Sequence, residues 1–159
     1  MKKPRMTIKL CVIATLCYAF HPYILPAKLT AVYQGINYDA SSQENYRSTV
    51  ILVDNPPITK KSMLSLWNRY IATLKNKNEL LQDEKDEVLF VKNKFTSAYS
   101  SQELKYWQGD NQICLKGIFK GKCINNNEII MRVSFLPTIS SEQITSLFQN
   151  KVIYIDIGN

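Results

Sequence analysis

The sequence has one histidine in 159 residues, His21, and only five glycines. A Ser-His-Asp or Cys-His site needs an imidazole beside its nucleophile. His21 stands in or beside an apolar N-terminal stretch, which leaves the rest of the chain without that chemistry. So few glycines give little room for a loop whose bare backbone cradles phosphate. Four cysteines are present, at 11, 17, 114 and 123, with no C-x-x-C spacing. Two of them fall in the apolar stretch, so no second ligand pair remains for a structural zinc, and the dithiol redox motif is missing. There is no internal repeat, linker or low-complexity tract. The chain is too short for a polytopic transporter built from spans of about 20 residues. Acidic residues are missing from the first 38 positions; the first is Asp39.

That last absence is matched by a presence. Lys2, Lys3, Arg5 and Lys9 precede the run Leu10–Phe20, which extends through His21-Pro22-Tyr23-Ile24-Leu25. A basic head before an apolar run is the pattern of an export signal or signal anchor. The positive-inside rule keeps the head, 1–9, in the cytoplasm and carries the rest across the inner membrane. Residues 10–25 read as a retained single-pass anchor. The alternative is a cleaved signal, although Cys17-Tyr18-Ala19 and Leu25-Pro26-Ala27 are poor cleavage sites. The expected location is therefore the bacterial inner membrane, with the domain in the periplasm.

The formal charge of +7 suggests a polyanion partner until it is divided. Residues 1–27 hold four of the 20 bases and none of the 13 acids, so 28–159 carries 16 bases against 13 acids, or +3. More than half the excess belongs to topology. Nine tyrosines and two tryptophans are spread out, largely at core spacing, not gathered on a basic face. Nucleic-acid binding is not expected.

From Lys28 onward the text reads as one α+β domain, 28–159, with an antiparallel-rich sheet packed on one face by one main amphipathic helix. Strands are expected at 28–34, 47–53, 87–91, 128–135 and 151–157. The continuous apolar end of 47–53 marks a central strand. Pro56 and Pro57 end it, and Thr59 caps a helix to residue 76. There Met63, Leu64, Leu66, Trp67, Tyr70, Ile71 and Leu74 share one arc, opposite Lys61, Ser65, Asn68, Ala72 and Asn76. A further helical turn or two is expected at 79–86. Residues 93–111 read as a long loop or irregular strands, and 112–125 as a hairpin. Ser140 or Ser141 is expected to cap a short helix, 142–149.

Cys114 and Cys123 flank a stretch with two glycines that allows a tight reversal. In an oxidising compartment they read as a disulfide; the alternative is two free buried thiols. The same loop carries Lys116, Lys120 and Lys122 beside Ile118 and Phe119, a basic tip suited to headgroups, glycan phosphates or an acidic partner. Its plainer reading is a solvated hairpin. Trp107, in a polar region, is expected to be partly exposed, and with Phe119 and the three lysines it is a candidate partner contact. Asp83-Glu84-Lys85-Asp86-Glu87 reads as a solvated helix end, since it lacks the glycine and alternating ligands of a calcium loop. Asp54, Glu103, Asp110 and Glu128 are carboxylates without a motif to join them, so no catalytic residue is assigned. No cofactor or metal is expected.

The early strand Ala31-Val32-Tyr33-Gln34, the run Val50-Ile51-Leu52-Val53-Asp54-Asn55-Pro56-Pro57-Ile58-Thr59, then Leu66-Trp67 and the later Cys114 and Cys123 resemble an enterobacterial family of small anchored envelope proteins, domain of unknown function 943. The helix carries one tryptophan where relatives often show two adjacent aromatic residues. The resemblance implies topology and carries no activity. The expected role is a non-enzymatic binding or envelope-accessory domain with a protein partner. The rival is an immunity protein that neutralises a competitor's toxin, and the outsider is an envelope hydrolase.

Overall fold

A computed structural model of the chain describes residues 26–39, 42–75, 80–138 and 143–158. The basic head, the apolar segment 10–25 and the capping serines Ser140 and Ser141 lie outside these residues. No helix among the described residues is long and apolar enough to cross a membrane.

The sequence runs β1 (Lys28–Asp39), β2 (Glu44–Asp54), α1 (Lys60–Lys75), β3 (Glu87–Lys92), β4 (Thr96–Ser97), β5 (Gln112–Ile113), β6 (Lys122–Asn125), β7 (Ile129–Ser134), β8 (Gln143–Phe148) and β9 (Lys151–Ile157). Six strands form one sheet in the order β1-β2-β3-β7-β9-β8, and β4-β6-β5 form a small second sheet. Only β2 and β3 are parallel neighbours in the large sheet; α1 makes the crossover between them. The expected antiparallel-rich α+β domain is therefore present.

The helix forms where its periodicity places it. Thr59 Oγ1 accepts from the Ser62 amide at 3.2 Å, and Ser62 Oγ reaches back to the Thr59 carbonyl at 2.8 Å. The first of these bonds satisfies an N-terminal amide that the helix itself leaves open. Met63, Leu66 and Trp67 are buried against Ile51, Val53, Val88, Phe90, Met131 and Val133. Trp67 meets both Phe90 and Phe148 edge to face, at centroid distances of 6.2 and 6.1 Å.

The sheet is covered on both faces, not on one. Val50, Leu52, Leu89 and Val91 point away from the helix and are buried by Trp107, Ile113, Leu115 and Ile124. This second layer is the segment 95–128, stapled by a Cys114–Cys123 disulfide. It accounts for the unbroken burial of Ser48–Val53: alternate side chains of a strand point to opposite faces, and both faces here meet protein.

Two expected helices are not found. Residues 80–86 form a turn whose backbone amides bind a buried side chain. The expected helix 142–149 gives way to strand β8 in the described residues from Gln143. Its neighbour is β9, joined through Gln149-Asn150, both at positive φ (52° and 64°). That is the two-residue primed hairpin turn, which fits the twist of antiparallel strands. Ile144 and Phe148 then face the helix-side core.

Candidate functional site

The register lines up a row of polar side chains on the face opposite α1. Alternation puts Asn37 of β1, Tyr46 and Ser48 of β2, Glu87 of β3, Arg132 and Ser134 of β7, and Tyr154 and Asp156 of β9 on that face. They continue the same columns that supply Tyr33, Val50, Leu52, Leu89 and Val91 to the second core. The cystine layer thus covers the apolar half of this face, and the polar half opens into two depressions. One, of about 230 Å³, is lined by Tyr46, Glu87, Arg132, Ser134 and Thr138 among others. The other, of about 300 Å³, is lined by Asn126, Asn127, Ile129, Arg132 and Asp156. Arg132 borders both. A third depression, between Ala27, Pro56 and Arg69, has no acidic residue among the described residues that line it.

Glu87 is the centre of the row. It is buried, accepts from Ser48 Oγ at 3.0 Å, and meets Arg132 Nε at 3.3 Å. Burial pushes its carboxyl above the ordinary glutamate range, against the opposing pull of Arg132 and Ser48. Tyr46 is pushed up to about 12, first by burial and then by the negative charge of Glu87, while the bond from Asn37 lowers it. The Arg132 side chain remains 35% exposed. The arrangement presents a guanidinium edge next to acceptors on Glu87 and Asp156 and hydroxyls on Tyr46 and Thr138. It can bind a polar surface.

The acidic stretch 83–87 is not a solvated helix end. Asp86 is buried; its Oδ1 accepts from the Arg47 amide at 2.9 Å and its Oδ2 from the Gln82 and Asp83 amides at 2.9 and 3.1 Å. It locks the turn that delivers Glu87 to the sheet. Lys85 pairs with Glu44 above it. Glu87 and Arg132 are not among the site residues expected from the sequence. A signal was there: strand parity places Glu87 on the same face as Leu89 and Val91.

The residues singled out beforehand behave differently from one another. Trp107 is 3% exposed, not partly exposed. Its ring lies over Gly35, where an added Cβ would come within 2.3 Å of it. A glycine inside β1 makes the recess that the indole fills. Phe119 is half-buried, edge to face with Tyr33 at 5.3 Å and Phe95 at 4.7 Å. Both aromatics are spent on packing the cystine layer. Lys116, Lys120 and Lys122 do stand exposed on its loop beside exposed Ile118. None of the four unjoined carboxylates lines either depression at Arg132. Asp54 accepts from Asn93 at 3.0 Å, and Glu103 lies on Gly109. Asp110 is exposed, and Glu128 pairs with Lys92 and Lys94 at 3.0 and 2.8 Å. Those two lysines hold the Glu128 carboxyl below its usual range.

Among the described residues no group of His, Cys, Asp and Glu is arranged to hold a metal ion. Compared with family models, curated proteins and solved structures, the chain matches none.

Proposed function

We propose that this chain is a single-pass inner-membrane protein whose periplasmic domain is a non-enzymatic binding module, an envelope accessory that docks a protein partner on the polar half of its sheet. One observation carries the reading: a buried carboxylate, Glu87, faces a half-open Arg132 between two depressions. A buried ion pair adds little stability over apolar packing, so its presence at an opening needs another reason. Perturbed titratable groups in a recess are a mark of functional sites. The Cys114–Cys123 bond supports an oxidising compartment. The basic head and apolar segment 1–25 support the anchor.

The test is recovery of a partner with the full chain from detergent-solubilised envelope. The native chain should retain one protein reproducibly. Arg132→Ala should lose it at least tenfold, about 1.4 kcal/mol or more in binding. The triple change Lys116→Ala, Lys120→Ala and Lys122→Ala should keep it. No reproducible partner, or loss with the lysines and not with Arg132, defeats the reading. If the partner is a competitor's toxin, co-expression will protect cells from it, and the role narrows to immunity.

A further inference from the structure

The edge strand β1 is 12 residues long, and among the described residues it pairs only with β2. A strand with a neighbour on one side only can extend its sheet on the other. This one carries charge only at its two ends, Lys28 and Asp39. Its outer half exposes two large apolar side chains on the helix side of the sheet, Ile36 at 47% and Tyr38 at 58%.

We infer that a second copy of this chain pairs with it, β1 to β1, antiparallel about a two-fold axis through Gln34. A two-fold normal to the sheet keeps each face on its own side, so partners across it must share a face. Centred on Gln34, that condition is met throughout. Gln34 meets Gln34 of the second copy, Tyr33 meets Gly35, Val32 meets Ile36 and Ala31 meets Asn37. Thr30 is skipped, as it already is in the pairing with β2, whose register shifts between Leu29 and Ala31. Leu29 then meets Tyr38, and Lys28 meets Asp39.

The pattern is self-complementary. The two exposed apolar residues, Ile36 and Tyr38, each fall opposite a half-buried apolar residue, Val32 and Leu29. The terminal charges fall opposite their opposites. Moving the axis one residue to Tyr33 or Gly35 leaves an end of the strand unpaired and separates Lys28 from Asp39. The Tyr38 amide is held by Asn37 Oδ1 at 3.0 Å, so the contact at that end is made by side chains. The other edge of the sheet, β8, has half the length and no charge at all. The two sheets become one, continuous across both molecules, and each Arg132 site lies inward of its own edge strand. The pairing is independent of what binds at Arg132.

The test uses the full chain in detergent with Cys11→Ser and Cys17→Ser, so that no thiol is left beside the native disulfide. Sedimentation equilibrium should return the mass of two chains. Opposed residues in an antiparallel pair lie about 4.5–5.5 Å apart, so Gln34→Cys should cross-link to itself on mild oxidation, whereas Leu147→Cys on β8 should not. Asp39→Lys should weaken association about tenfold, and adding Lys28→Asp should restore it. Unchanged circular dichroism and an intact Cys114–Cys123 bond will show that each variant is folded. A single-chain mass at micromolar concentration overturns the inference. So does a two-chain mass in which Gln34→Cys stays free, because the contact then lies elsewhere.

Discussion

At the scale of single residues, two glutamates respond to the fold in opposite ways. Glu87 is buried with one partly exposed cation, and desolvation dominates; its carboxyl is raised above the ordinary value of 4.5. Glu128 has two lysines within 3.0 Å, and their hydrogen bonds lower its carboxyl below the same value. Linkage turns these directions into pH dependence. A raised acid binds its proton more tightly in the folded state, so the native chain loses stability as pH rises from 4.5 through the raised value. A lowered acid contributes stability above 4.5 that is lost as pH falls through its folded value. Glu87→Gln keeps the bond from Ser48 and removes the buried charge. We expect it to be more stable than the native chain at neutral pH, with the gap closing as pH approaches 4.5. Glu128→Gln should show the reverse: less stable at neutral pH and converging under acid. Urea titrations at a series of pH values measure both. A Glu87→Gln chain that is less stable at neutral pH would show that Arg132 outweighs desolvation.

Among the elements, the cystine layer has the least regular structure. It is built from two-residue and four-residue strands and short turns, and five of its loop residues adopt positive φ: Leu115, Lys116, Gly117, Lys120 and Gly121. Only two of the five are glycines, so the loop needs its covalent closure. Replacing both Cys114 and Cys123 with serine should cost about 2–3 kcal/mol, by the loop-closure entropy of roughly ten residues. Urea denaturation followed by tryptophan fluorescence reads the loss. The elements also mark where the sequence was legible. Strands β2, β3 and β9 and helix α1 were readable because their apolar residues repeat with a period of two or 3.6 or run unbroken. The helix expected at 142–149 was misplaced because Ile144, Leu147 and Phe148 fit a helical arc as well as a strand. The deciding turn, Gln149-Asn150, contains no glycine to announce it. Trp107 was misjudged because its environment is made by Gly35, 72 positions earlier in the chain. The disulfide was readable from two cysteines and the glycines between them. The site was not, since Glu87, Arg132 and Asp156 meet only through strand order.

At the scale of the molecule, one sheet serves two cores. Val50 and Ile51 are neighbours in sequence, yet they pack into opposite layers, as do Leu89 and Phe90. Neither layer can leave without exposing the other's strands, which argues for a single cooperative transition. The two tryptophans report on it separately, Trp67 from the helix layer and Trp107 from the cystine layer. In the oxidised chain, Trp67→Phe and Trp107→Phe variants should unfold through transitions of the same shape and slope in urea, with their midpoints offset only by each substitution's own cost. Slopes that differ would divide the molecule into two units.

The strand order has a consequence for how such a chain is made. β9, the last strand in sequence, lies inside the sheet between β7 and β8. As the chain is synthesised the amino-terminal strands emerge first, and β1, β2, α1 and β3 can assemble as they appear. β8, delivered earlier than β9, finds no neighbour until residues 151–157 arrive. Until they do, the apolar flanks of β7 and β8 stay uncovered. Completion of the large sheet therefore waits on residues 151–157.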